Sequence, residues 1–475
     1  MPVPVVNLAQ MREWERATWA AGQTEAEVIR RVGEKIAGLA LRLSRPGDAI
    51  LILAGKGHNG DDARAAREHL RDRRVEMLDA AAPENDLSKL ETALRSRPAL
   101  IIDGLFGIGL DRPLDDGWKK FITAVNESKI PVLAVDVPSG LNADSGQPQG
   151  AAIEAAVTLT VGAPKIGLLQ PDAWPFVGRL EVAENVGLIA CPHQGELYWT
   201  LPDDFTGFPP RRGVASHKGS FGHLVIIAGS FGFHGAAVLA ARAAQHAQPG
   251  LITLFPQEPV FHVVASQLQA VMVNVWKPET KMPESASALL IGPGMVASEF
   301  VEELKTLTRR AWRRLVRNSS LPMIVDASAL DWLVPHALAK TEIRVVTPHP
   351  GEAARLLGKT VPQVQANRLH AVREISHRFG DCWVVLKGHQ TLVGRSTGEI
   401  FVNSSGNPHL AQGGSGDVLA GFIAGLLAQP ALQADAGKTL RFAVWLHGAT
   451  ADALQAARTN WVIEDLVAEL GRGRC

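Results

Sequence analysis

The chain has 475 residues, with 48 Lys and Arg balanced by 48 Asp and Glu. That length exceeds a single core and predicts two or three domains. The neutral balance, with no basic run, excludes electrostatic attraction to nucleic acid or to an acidic membrane surface.

Residues 1–15 carry acids early and no apolar run, so no signal peptide is expected. Leu8–Ala20 and 25–43 read as helices outside a sheet. Apolar runs at Ala49–Ala54, 99–103, 130–136 and Val157–Val161 read as buried parallel strands, and 61–73, 86–97 and 115–128 as the helices between them. Residues 200–213 are dense in Pro and Gly and read as a linker. A second series of strands follows at 223–228, Leu251–Phe255, Ala288–Ile291, 323–326, 343–347 and 383–387. No apolar stretch reaches a membrane span. Cys191, Cys382 and Cys475 lack metal spacing and suit a reducing cytoplasm, which is the expected location. The pattern predicts an α/β protein of two doubly wound domains, 1–210 and 211–475.

In the first half, Gly55-Lys56-Gly57-His58-Asn59-Gly60 fits G-x-G-x-x-G after a strand, with Glu76 and Asp79 about 20 residues on, as a dinucleotide fingerprint wants. Asp61 and Asp62 argue against it, because carboxylates in the first helical turn repel a pyrophosphate. A loop of carboxylates and amides suits a cation instead. Asp103 and Asp136 each end a strand, and Ser139 follows closely. In a parallel sheet these ends share one edge, so Asn59, Asp103, Asp136 and Ser139 are expected to converge.

The loop 55–63, the segment Asp103-Gly104-Leu105-Phe106-Gly107, the segment Val135-Asp136-Val137-Pro138-Ser139-Gly140 and Gln10-Met11-Arg12-Glu13 resemble the NAD(P)H-hydrate epimerase domain over about residues 5–200. The resemblance implies a Rossmann-like fold and a potassium ion held by Asn59, Asp103 and Ser139. It implies that hydrated NADH or NADPH lies against His58, Asn59, Gly60, Asp61, Asp62, Gly107, Ile108, Gly109, Leu110, Asp111, Arg112, Pro113 and Asp136. Asp136 would be the acid/base. The loop departs from the family's G-N-N-G-G-D-G at His58, Asp61 and Ala63. These substitutions leave open an active epimerase or a half that is only structural.

The second half contains Gln412-Gly413-Gly414-Ser415-Gly416-Asp417 before an apolar helix at 418–427. Free N–H groups and the helix dipole make the turn an anion site. A carboxylate there suits proton transfer at the reacting group. Four further loops follow strands. One carries Gly235-Ala236-Ala237 and another Ile291-Gly292-Pro293-Gly294. The others are Thr347-Pro348-His349-Pro350-Gly351-Glu352 and Lys387-Gly388-His389-Gln390-Thr391. Singly, each reads as a turn, a cap or a solvated strand end. Together, on one edge, they read as a nucleotide-using enzyme.

These motifs resemble the ADP- or ATP-dependent NAD(P)H-hydrate dehydratases, members of the ribokinase-like superfamily, over about 211–475. The domain order resembles the bifunctional NAD(P)H-hydrate repair enzymes of bacteria. The resemblance implies nucleotide contacts from Lys387, Gly388, His389, Gln390, Thr391 and Gly416. It implies substrate contacts from Ala236, Gly294, His349 and Asp417, with Asp417 as base. Implied cofactors are ADP or ATP as phosphoryl donor, Mg2+ and K+. Implied partners are the hydrated forms of NADH and NADPH, with no nucleic acid and no membrane; a homo-oligomer stays open. Ser328 stands where the family has aspartate. The alternatives are a dehydratase with a degenerate N-terminal domain and a ribokinase-like small-molecule kinase.

Overall fold

The computed structural model describes residues 2–296, 301–313, 321–335 and 342–471; Cys475 lies outside them. The chain forms two compact α/β units, Val3–Gly195 and a second from Glu196 onward that also takes in Pro2. The division falls at Gly195–Glu196 rather than near residue 210. Leu197–Trp199 runs as a strand parallel to Ile400–Val402. Phe205 is fully buried, edge-on to Phe442 at 5.5 Å. The Pro- and Gly-rich run is therefore the margin of the second core, not a free linker.

The first unit is a six-stranded parallel sheet. Its order is Arg74–Asp79, Ala49–Ala54, Leu100–Gly104, Val132–Val135, Val157–Val161, Arg179–Ala183. Alternation along Ala49–Ala54 explains the layering. Ile50 and Ile52 pack with Val32 and Ile36 on one face, while Leu51 and Leu53 pack with Leu90 and Phe121 on the other. Chain direction across the sheet switches between Ala49–Ala54 and Leu100–Gly104, where a parallel sheet opens its ligand crevice. The helix expected at 61–73 spans His58–Ala66, capped by Gly57. Asn59 and Asp62 therefore lie one turn apart on one helix face.

The second unit is built on a mostly parallel sheet. The central order is Trp383–Leu386, Arg344–Val346, Met323–Val325, Ala288–Ile291, His223–Ile227, Leu251–Phe255. Leu392–Gly394 is antiparallel to both its neighbours. The switch lies between His223–Ile227 and Ala288–Ile291. Helix Ser415–Leu427 packs on the Ala-rich helix His234–His246. A Cβ at Gly421 would stand 2.1 Å from the Ala240 carbonyl oxygen, so only glycine allows that approach. Among the described residues, no helix is long and apolar enough to cross a membrane.

Candidate functional site

In the first unit, the crevice at the switch point is a cavity of about 880 Å³. The glycines of the fingerprint have a packing role there. A Cβ at Gly55 would meet the Leu105 carbonyl oxygen at 2.0 Å, and one at Gly60 would meet the Gly55 oxygen at 2.1 Å. Asp79, the acid a dinucleotide ribose would need, is taken by Arg64 at 2.8 Å. The same guanidinium holds Asp61 at 2.8 Å and donates to the Gly55 oxygen at 2.7 Å. The substitution at Asp61 thus carries its own counter-charge and points away from the cavity.

Asn59, Asp103 and Ser139 meet around Phe106. The Asn59 amide donates to the Phe106 carbonyl oxygen at 2.9 Å, and the Phe106 N–H donates to the Ser139 hydroxyl at 2.9 Å. Asp103 accepts from the Ser139 hydroxyl at 2.6 Å and from the Ser139 N–H at 2.9 Å. Its carboxyl is fully buried, and burial pushes it up to about 6 against those hydrogen bonds. No basic side chain pairs with Asp103 among the described residues. The donors are all oxygen, from carboxylate, amide, hydroxyl and carbonyl, which is the set a hard cation takes.

Of the substrate residues expected in this half, His58, Asn59, Asp62, Asp136 and the run 107–112 line the cavity. Gly60, Asp61 and Pro113 do not. His58 is exposed and reaches Glu25 at 2.5 Å. Asp136 has a left-handed backbone, φ +63°, and is held by Lys165, a lysine with no exposed surface. Asp136 also accepts from the Val161 N–H at 2.9 Å and the Thr160 hydroxyl at 3.2 Å. Sequence reasoning missed Lys165; the signal was a lone basic residue in Val161-Gly162-Ala163-Pro164-Lys165 just after a buried strand.

In the second unit, Gly414 caps helix Ser415–Leu427 with φ +95°, and a Cβ on it would lie 2.6 Å from Leu239 on helix His234–His246. Asp417 occupies the first turn of that helix. Its carboxyl is pushed up to about 7, by burial first, then by the carboxylates of Asp326 and Glu352, against the pull of Lys387. The lysine pairs with Asp326 at 2.8 Å and stands 3.9 Å from Glu352. Burial opposes its charge, yet Asp326, Glu352 and Asp417 together hold it above its usual value. Lys387 is therefore an internal cation beside Gly416, not a solvent-facing strand tip.

His349 caps helix Pro350–Leu357. Its Nδ1 accepts from the Gly351 N–H at 3.0 Å, and Glu352 accepts from the His349 N–H at 2.8 Å. The capping leaves Glu352 facing Lys387 as well. Ala236 and Gly294 come together across the switch point: a Cβ at Gly294, φ +65°, would lie 2.9 Å from the Ala236 Cβ. The turn 387–391 carries positive φ at Gly388 and Gln390, and the Thr391 hydroxyl donates to the Gly388 oxygen at 2.9 Å.

Three supporting residues were not found from sequence. The buried Arg368 donates to the His389 carbonyl oxygen at 2.5 Å, and burial lowers its guanidinium to about 10. Asp452 accepts from the Gly406 N–H at 2.9 Å and the Asn407 amide at 3.1 Å, which fixes the entry to the glycine turn. His447, pushed down to about 4 chiefly by burial, stands beside the backbone of Ser415. A histidine inside the apolar run Val444-Trp445-Leu446-His447 was its only sign.

A family model described as NAD(P)H-hydrate dehydratase matches residues 224–471, and one described as YjeF-related protein N-terminus matches residues 75–167. The chain is similar to the bifunctional NAD(P)H-hydrate repair enzyme Nnr of Coxiella burnetii, 33% identical over 93% of this chain and 93% of that protein. It is similar to the enzyme of the same name from Escherichia coli K12, 32% identical over 96% of this chain and 90% of that one. Among solved structures it resembles a ribokinase-like superfamily protein from Enterococcus faecalis V583. That match is 25% identical with a TM-score of 0.50, covering 59% of this chain and 96% of the other.

Proposed function

The chain belongs to the bifunctional NAD(P)H-hydrate repair enzymes, and from that membership we propose how its residues divide the repair between the two units. The enzyme is an NAD(P)H-hydrate dehydratase and epimerase, and the small-molecule kinase alternative is not favoured. The dehydratase reading of the site rests above all on Asp417, a carboxyl poised near neutrality at the mouth of an anion-binding helix.

The substrate carries a hydroxyl on C6 of the nicotinamide ring, and hydroxide is a poor leaving group. Transfer of a phosphoryl group to that oxygen makes departure possible, after which the ring nitrogen lone pair expels phosphate and loss of a proton from C5 restores the C5–C6 double bond. Asp417 takes the hydroxyl proton. The N–H groups of residues 413–416 and Lys387 face the charge that develops on the phosphoryl oxygens. Gly388, His389, Gln390, Thr391 and Gly416 cradle the nucleotide, and Ala236, Gly294 and His349 hold the nicotinamide side. ADP or ATP is the proposed donor. Mg2+ is proposed to enter on the nucleotide phosphates. The test is incubation of the full chain with chemically hydrated NADH and either nucleotide. Return of the reduced-nicotinamide absorbance is expected, and its absence with both nucleotides would sink the reading.

In the N-terminal unit, Asp136 is the proposed acid/base for interconverting the C6 epimers. Asn59, Asp103 and Ser139 are the proposed K+ ligands, and a cation there would supply the counter-charge that Asp103 otherwise lacks. Asp103→Asn keeps the shape but removes the charge. Epimer exchange in that variant is expected to be slow and insensitive to K+, whereas the parent should lose rate when K+ is replaced by a bulky organic cation. Equal K+ dependence in both proteins would remove Asp103 from the ligand set. We place the reaction in the cytoplasm, beside the nicotinamide pool it repairs.

A further inference from the structure

Asp62 shares its cavity with Asp136, and the two carboxyls have opposite surroundings. Asp136 is wrapped in donors, from the Lys165 ammonium, the Val161 N–H and the Thr160 hydroxyl. The lysine is itself saturated, donating also to the Thr160 hydroxyl at 3.1 Å and the Val161 carbonyl oxygen at 2.9 Å. Asp62 accepts no hydrogen bond from a side chain among the described residues. It lies one turn beyond Asn59 and on the same helix face, whereas its neighbour Asp61 turns away to Arg64. Burial raises Asp62 to about 8, with Asp136, Asp61 and Glu15 adding to it and Lys165 opposing. Glu15, on helix Leu8–Ala20, is also raised, by burial first and then by Asp136, while Lys165, His58 and Arg12 ease it. Three carboxyls line one cavity, with the Lys165 ammonium buried behind Asp136, and this crowding favours a proton on Asp62. A carboxylate wrapped in donors suits a base, and a carboxyl buried without one suits an acid.

We propose that Asp62 is the second catalytic residue of C6 epimerisation, the acid that protonates the ring nitrogen while Asp136 takes the proton of the C6 hydroxyl. The assignment rests on the epimerase reading above. Asp136 removes the hydroxyl proton, and the O–H electron pair becomes the second bond of a C6 carbonyl. The C6–N1 bond breaks, its pair stays on nitrogen, and nitrogen takes the proton of Asp62. The opened aldehyde turns about its C5–C6 bond. Nitrogen then attacks the opposite face of C6 and returns its proton to Asp62, while the oxygen recovers its proton from Asp136. No water, electron or phosphate enters or leaves, so this half needs no nucleotide.

The experiment measures R-to-S exchange in the full chain without nucleotide, across pH. The parent is expected to lose rate above about pH 8 as the acid deprotonates. Asp62→Asn should lower exchange about 10²-fold or more at pH 7 and erase the alkaline fall in what remains. Asp62→Glu should recover part of both. The urea transition of the N-terminal unit, measured on the same samples, reports that the unit carrying Asp62 is folded. Exchange in Asp62→Asn within about threefold of the parent would overturn the assignment. So would a slow variant that keeps the alkaline fall, which would move the acid to Glu15. Absence of exchange in the parent itself would remove the epimerase reading and this proposal together, a result distinct from either.

Discussion

Asp417→Ala is expected to lower nucleotide-driven dehydration by about 10³-fold while nucleotide still binds and epimer exchange is unchanged. The carboxyl is the only general base proposed at the phosphoryl-acceptor hydroxyl, and the donors of residues 413–416 are backbone groups that alanine leaves in place. The pH profile adds a second check. The base is the ionised form, so log kcat/KM should fall as pH drops through about 7. Lys387 lowers this carboxyl, so Lys387→Met should move that limb to higher pH, whatever it does to the plateau. Stability should run the other way. A carboxyl at about 7 in the folded chain and at 3.8 otherwise is protonated longer when folded. Its effect on stability is favourable below pH 4 and is lost as pH rises to 7. Alanine should therefore not weaken the fold at neutral pH, and thermal unfolding near the parent's midpoint would show that lost activity is lost chemistry. Retained turnover would remove Asp417 from the reaction.

What could be read from the sequence was what local chemistry or parallel topology dictates. Three glycines and an aspartate before an apolar run announce a helix N-terminus with an acid at it, and Ser415–Leu427 is that helix. Asn59, Asp103 and Ser139 could be gathered in advance because parallel strands end on one edge, and they meet around Phe106. Long-range pairing could not be read. The run at 200–213 has the turn chemistry of a linker, but the strand before it is paired with Ile400–Val402, nearly the whole second unit away in sequence. The fingerprint glycines at 55 and 60 answer to the Leu105 and Gly55 carbonyls, a contact no motif encodes. Arg64 explains why Asp61 is tolerated, and the fold alone brings it to Asp61, Asp79 and the Gly55 oxygen at once. Buried ionic and polar partners, Lys165, Arg368 and His447, were missed for the same reason: a lone polar residue near an apolar run looks the same whether it faces solvent or a site.

Lys165→Met is the substitution expected to cost the N-terminal unit most. Lys165 is wholly buried and Asp136 nearly so, and the methionine stem can fill the lysine's path without its charge. Removing one partner of a buried pair leaves the other charge in low dielectric, at a cost of about 3–5 kcal/mol. The Thr160 hydroxyl and the Val161 carbonyl also lose a donor. Urea unfolding of the full chain should show the N-terminal transition shifted to lower denaturant, with the dehydratase transition in place. Epimer exchange should vanish in the same variant, because the Lys165 ammonium is what holds the Asp136 carboxylate in place among its donors. Loss of stability alone could also silence the site, so the decisive sample is the double variant with Asp136→Asn. Removing the stranded charge should return part of the stability, giving an interaction energy of about 1–3 kcal/mol, while exchange stays absent. If the single and double variants unfold alike, the ion pair is not what holds this corner of the sheet. If Lys165→Met keeps exchanging epimers, Asp136 does not need its lysine to act as base.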